Sequence, residues 1–156
     1  MSLAFEHIKE KIWSLLSTIE DPEIPVLSIV DIGVVRDVIV NENSVEIKIT
    51  PTYSGCPAMN LFKEQIIIKL SESGYINVKI TVVYTPVWTS ECIGEESKLK
   101  LKEYGIAPPE KSVREICCPL CDSDITELIS NFGSTACKAL YKCKSCLEPF
   151  EYFKCI

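Results

Sequence analysis

The sequence predicts an α+β fold. An α-β-β-α-β open-faced sandwich, a three-stranded sheet with helices on one side, is followed by a C-terminal four-cysteine zinc ribbon. Three observations predict this. Apolar residues recur at helical spacing in two segments, and they alternate in strand fashion in three others. Near the C-terminus, Cys118, Cys121, Cys143 and Cys146 form two C-x2-C pairs. The division expected is an α+β domain over residues 1–105, a linker over 106–116 and the ribbon over 117–156.

Phe5, Ile8, Ile12, Leu15, Leu16 and Ile19, with Glu6, Lys9, Glu10 and Lys11 between them, predict an amphipathic helix over residues 4–20. Asp21-Pro22-Glu23-Ile24-Pro25 ends it, because neither proline can continue a helix. A strand is expected from Gly33 to Val40, then a turn at Asn41-Glu42-Asn43. Val45, Ile47 and Ile49 alternate with Glu46, Lys48 and Thr50, which predicts a second strand paired with the first as a hairpin.

Pro51 to Pro57 reads as a loop. A second helix is expected from Pro57 to Ser73, with Met59, Phe62, Ile66 and Leu70 on one face. Pro57 suits the first helical position, and Gly74 stops the helix. Val78, Ile80, Val82 and Tyr84 predict a third strand. Lys98–Tyr104 reads as a short third helix, stopped by Gly105 and left through Pro108-Pro109. In the ribbon, strands are expected on either side of Asn131-Phe132-Gly133 and through Phe150, Tyr152 and Phe153.

Two C-x2-C knuckles can offer four thiolates to one tetrahedral ion, the closed arrangement that suits structural zinc. So small a segment buries too little apolar surface to fold alone, and a bound metal supplies the missing free energy. Cys117 precedes Cys118, but only Cys118 completes the C-x2-C spacing with Cys121. Cys117, Cys137 and Cys155 are surplus to the site. Seven of the nine cysteines lie in residues 117–156, four of them at knuckle spacing, and no secretory leader is expected, which favours metal over disulfides.

The formal charge is -6. Residues 1–110 hold 10 Lys/Arg against 16 Asp/Glu, and residues 111–156 hold six of each. With no basic surplus to offer phosphates, a nucleic-acid role is not expected. No run of 18 apolar residues is present, so no membrane span is expected, and the chain reads as cytoplasmic. A single histidine, His7, rules out two-histidine metal sites and the paired Glu-x-x-His motifs of di-iron bundles. His7 itself reads as a helix-surface residue.

Outside the ribbon, Cys56 is the sharpest candidate for chemistry. It stands at the N-cap of the second helix, where amide dipoles favour a thiolate able to ligate iron, carry a persulfide or attack an electrophile. The plain alternative is a small thiol capping a helix. Asp21 and Glu23 flank a rigid Pro-x-x-Pro loop and could serve acid/base work or complete a metal site, or simply end the first helix in a solvated loop. Asp31 is expected to bond turn amides. Tyr53, Tyr84 and Trp88 either border a cleft beside Cys56 or serve the core, and Cys92 reads as packing.

Four strings carry a resemblance. They are Asp21-Pro22-Glu23-Ile24-Pro25 through Gly33, Thr50-Pro51-Thr52-Tyr53-Ser54-Gly55-Cys56-Pro57-Ala58, Tyr104-Gly105-Ile106-Ala107-Pro108-Pro109, and Gly133-Ser134-Thr135-Ala136-Cys137-Lys138-Ala139-Leu140-Tyr141 leading to Glu148–Cys155. Together they resemble the PaaD (PaaJ) family of phenylacetate-degradation proteins, within the wider family of small iron–sulfur assembly factors that includes SufT-like proteins. The resemblance covers almost the whole chain. It implies a non-catalytic accessory protein that helps mature the iron–sulfur or di-iron centre of a multicomponent phenylacetyl-CoA epoxidase. The implied partners are that enzyme's oxygenase or reductase subunits, or a second copy of the chain. The implied cofactors are one structural zinc on the four cysteines and a transient iron or iron–sulfur cluster at Cys56, Asp21 and Glu23. An assembly subunit that holds the oxygenase together without handling iron is the alternative. The chain departs from the family pattern at Ile156, where a histidine is usual, and around Thr89–Ile93.

Overall fold

The computed structural model describes residues 3–110 and 116–154. The chain divides into two compact units, residues 1–88 and 89–156.

In the first unit, α1 (Leu3–Leu16) is followed by the antiparallel pair β1 (Val35–Val40) and β2 (Val45–Ile49), then α2 (Ala58–Glu72) and β3 (Val78–Val82). The sheet order is β1-β2-β3, with β3 parallel to β2. The parallel step needs a crossover, and α2 supplies it. Val38 faces Ile47 across the hairpin, and Ile47 faces Ile80 across the parallel pair. β2 alternates strictly, with Val45, Ile47 and Ile49 buried. Ile12 and Leu16 of α1 and Phe62, Ile66 and Leu70 of α2 complete the core. Glu46, Lys48, Lys79 and Thr81 occupy the other face, where Thr81 donates to Glu46 (2.6 Å). This is the open-faced sandwich the periodicity predicts.

The first helix ends at Leu16, four residues before the expected end. Its last turns tighten to i,i+3 bonds, Thr18 N to Leu15 O and Ile19 N to Leu16 O. The hydroxyls of Ser17 and Thr18 also take the carbonyls of Ser14 and Leu15. Local side-chain bonds of this kind compete with helix continuation. Trp88 is buried and donates its indole N–H to Ile32 O (2.8 Å), so it serves the core and not a cleft. Tyr84 is exposed, as is His7.

In the second unit a 3₁₀ turn (Ser90–Cys92) leads to α3 (Glu95–Tyr104), which Gly105 ends in the left-handed conformation (φ 95°). A four-stranded sheet follows, in the order β4-β7-β6-β5, from β4 (Ile106–Ala107), β5 (Thr126–Ser130), β6 (Lys138–Cys143) and β7 (Pro149–Phe153). β5, β6 and β7 form an antiparallel meander, with the first knuckle ahead of β5 and the second between β6 and β7. β4 lies parallel to β7, Ile106 facing Glu151 and Ala107 facing Tyr152. Two residues of the segment 106–116 are a strand of the ribbon sheet, and the compact unit begins at Thr89. Two residues are too few for periodicity to reveal, and their partner lies more than 40 positions on. Ala107, Ile116, Cys118, Ala139, Cys143, Phe150 and Tyr152 form one buried cluster.

Candidate functional site

The two knuckles converge as their spacing predicts. Cys118 and Cys143 are buried, Cys146 is half-buried and Cys121 is exposed. All four sulfurs lie within 4.8 Å of one another, with Cys118–Cys146 at 3.7 Å and Cys121–Cys143 at 3.6 Å. A tetrahedron with metal–sulfur bonds of about 2.3 Å has edges of about 3.8 Å, so this donor set fits a tetrahedral, thiophilic ion such as zinc. Among the described residues no second group of three or more Cys, His, Asp or Glu closes in this way.

The turns around the four sulfurs have the same logic. Asp122 (φ 61°) and Leu147 (φ 67°) follow the second cysteine of each knuckle in left-handed conformations. Ser145 N and Cys146 N donate to the Cys143 sulfur (3.4 and 3.5 Å). These amides, that of Cys146 foremost, outweigh burial and hold the Cys143 thiol down at about 6. Cys146 goes the other way. The Glu148 amide pulls it down, but burial and the thiols of Cys143, Cys121 and Cys118 push it up to about 12. Four thiols this close cannot all ionise without a cation between them. Cys117 is exposed and stands outside the cluster. Cys137 is buried beside the Thr135 hydroxyl (3.1 Å), and Cys155 lies outside the described residues.

The first unit carries the other candidates. Asp21 is buried, and its Oδ1 accepts from Glu23 N (2.8 Å) and Ile24 N (2.9 Å). It shapes the loop that the two prolines open. Asp31 and Ser28 exchange bonds at 3.0 Å each, the turn role expected of Asp31. The N-cap of α2 is Pro57 (φ -70°, ψ -21°), so Cys56, expected at the cap, stands one residue ahead of it. Its half-buried sulfur takes bonds from Ala58 N–H and the Thr52 side chain.

The structure thus places Glu23 and Asp21 close enough to act electrostatically on Cys56 across 33 and 35 positions of sequence. Their effect is opposite to the thiolate expected from the helix terminus. Burial pushes the Cys56 thiol up, Glu23 and Asp21 push it further, and the Ala58 amide and Thr52 only partly oppose them. Thr52 has no role in the sequence reading. A hydroxyl four residues ahead of a loop cysteine was the signal for it.

Comparison with known proteins matches two segments of the chain. Residues 9–82 match the model described as iron–sulfur cluster assembly protein, and residues 107–154 match the PaaD zinc beta ribbon domain. The chain is 47% identical over 152 residues to an Escherichia coli (strain K12) protein named as one subunit of a "Putative 1,2-phenylacetyl-CoA epoxidase", covering 94% of this chain and 92% of that one. It is 34% identical over 103 residues to an Fe-S protein maturation auxiliary factor of Porphyromonas gingivalis (strain ATCC BAA-308 / W83), covering 65% of this chain and 97% of that protein. Among solved structures, it is similar to a domain of unknown function, DUF59, from Bacillus anthracis. That likeness has a TM-score of 0.60 and 28% identity over 64% of this chain and 95% of that one. With an assembly-type domain carrying Cys56 and a PaaD ribbon carrying four converging thiols, the chain belongs to the PaaD family within the iron–sulfur assembly proteins.

Proposed function

We propose that this protein is a non-catalytic maturation factor that delivers iron, or an iron–sulfur cluster, to the metal centre of a multicomponent phenylacetyl-CoA epoxidase. In this reading Cys56 holds the metal transiently with Asp21 and Glu23 beside it. The four ribbon cysteines hold one structural zinc, and the ribbon docks the client in the cytoplasm. The observation that carries the reading is the juxtaposition of Cys56 with Glu23 and Asp21 at a helix start, inside the segment that matches iron–sulfur assembly proteins. Carboxylates that oppose a bare thiolate attract a cation, and a metal arriving there displaces the thiol proton. Such a site favours loading and release over permanent storage, because Asp21 is also committed to two loop amides.

The test is Cys56→Ser in a strain expressing the epoxidase. Iron and acid-labile sulfide in the oxygenase and reductase subunits, purified without oxygen, should fall well below wild type. Wild-type iron loading would sink the Cys56 role.

The second reading is a structural subunit that does not handle iron. The relative from Escherichia coli, named as an epoxidase component, favours it. It predicts stoichiometric co-purification with the oxygenase and indifference to Cys56→Ser.

A further inference from the structure

The knuckle end of the ribbon carries three large apolar side chains in water. Leu120 inside the first knuckle is 59% exposed, Leu147 after the second is 66% exposed, and Ile125 is 57% exposed. The Cys118–Cys146 and Cys121–Cys143 contacts draw the two knuckles together, and Lys144 N donates to Ile125 O (2.8 Å). All three residues therefore belong to one end of the sheet.

Leu147 is the anomaly. Its φ of 67° is a conformation that glycine adopts freely and that strains a residue with a Cβ. An exposed leucine there gains nothing from the core, so folding alone favours glycine at this position. Strain kept at a residue that also exposes apolar surface marks a contact surface. The charges indicate what it contacts. Four thiolates on a divalent cation carry a net double negative charge, and Asp124 and Glu148 add exposed carboxylates. Of the nearby cations, Lys102 pairs with Asp122 and Lys144 with Glu127, and Lys142, opposite Glu127 in the β5–β6 pair, adds a single positive charge.

We infer that the metal end of the ribbon is the client-docking surface. On it, Leu147, with Leu120 beside it, enters an apolar pocket rimmed by basic side chains on the client protein. The inference rests on the reading that the ribbon docks an epoxidase subunit, and it names the face that does so.

The test uses the full-length zinc-loaded chain, titrated by calorimetry with each purified oxygenase and reductase subunit in turn. Leu147→Gly should do two opposite things. It should raise the thermal midpoint of the ribbon by about 4 °C as strain is relieved. It should also weaken binding about tenfold as the anchor is lost. Leu120→Ser should weaken binding without the gain in stability. Binding should fall as ionic strength rises, because the proposed rim is basic. Phe132→Ala, at the far end of the β5–β6 hairpin, should bind as wild type.

Unchanged affinity in Leu147→Gly overturns the inference. So does a fall in both stability and affinity, which would make the leucine a folding residue. Salt-independent binding overturns the basic rim. Loss of binding in Phe132→Ala alone moves docking to the other end and overturns it. A wild-type dimer that Leu147→Asp converts to a monomer assigns the face to a second copy, which also overturns it. A wild-type chain that binds no subunit removes the client reading itself, and this inference with it.

Discussion

Lys138 Nζ lies 3.0 Å from Glu151 Oε2 across the β6–β7 pair, and the lysine is almost wholly buried, with 4% of its side chain exposed. Glu151 is one quarter exposed and uses Oε1 to accept from Ser134 N (2.6 Å). Burial pushes the Glu151 carboxyl up, but Ser134 and Lys138 together hold it below its ordinary range. Removing one partner of a buried pair strands the other. Lys138→Met should destabilise the ribbon by about 1–3 kcal/mol, below the full buried-pair cost because Glu151 reaches solvent. Glu151 is depressed on folding, so its contribution is present above the unfolded value and lost as pH falls through the folded one. Between pH of about 5 and 3, wild type should lose more stability than Lys138→Met, measured by chemical denaturation with metal in excess.

Gly133 has the same carboxylate in its way. A Cβ built there would stand 2.7 Å from Glu151 Oε1. Gly133→Ala should therefore dislodge Glu151 from Ser134 and Lys138 and cost about 1–2 kcal/mol. Combined with Lys138→Met, the two losses should be less than additive, because both break one network. Denaturation of the two single variants and the double variant measures the coupling.

The Cys56 thiol is held above its ordinary value by burial and by Glu23 and Asp21. Alkylation followed by peptide mass spectrometry should show Cys56 reacting slowly at neutral pH. The midpoint of its rate profile should lie above that of an unperturbed cysteine. Glu23→Gln should shift this midpoint to lower pH and speed alkylation. Unchanged kinetics would mean that Glu23 does not act on the sulfur.

Metal removal should act on one unit. Chelation should abolish amide-exchange protection in β5, β6 and β7 and leave the exchange of β1, β2, α1 and α2 unchanged, as read by mass spectrometry. The first unit has its own core in Ile12, Leu16, Ile47, Phe62 and Ile66 and needs no ion.

Much of this architecture is legible in the sequence, because strong local patterns carry it. Val45, Ile47 and Ile49 alternate, Phe62, Ile66 and Leu70 repeat every fourth residue, and four cysteines stand at knuckle spacing. The features that escape it depend on distant partners or on competition. The tightening of α1 after Leu16 accompanies two hydroxyls that bond carbonyls three residues back, a local competition with the helix that the apolar spacing does not register. The Ile106–Ala107 strand exists because Glu151 and Tyr152 are there to pair with it. At Cys56 the nearby helix start is legible, but the residue stands one position ahead of the cap and its thiol is pushed up. The helix terminus is visible in the sequence, but the burial and the two carboxylates that outweigh it are brought there only by folding. Nor does leucine at position 147 announce a left-handed residue, since glycine is the residue expected there.

The parallel pairing of β4 with β7 has a consequence for inheritance. A domain that is copied and fused to new neighbours must carry every strand of its sheet with it. Here the strand nearest the N-terminus precedes both knuckles, and Gly105 ties it directly to α3. Cut at the first knuckle, the piece would bring its metal ligands but leave the terminal strand with a bare edge. The portable piece is accordingly the helix, strand and knuckles together, and a ribbon transplanted to another protein should travel with residues from 89 onward.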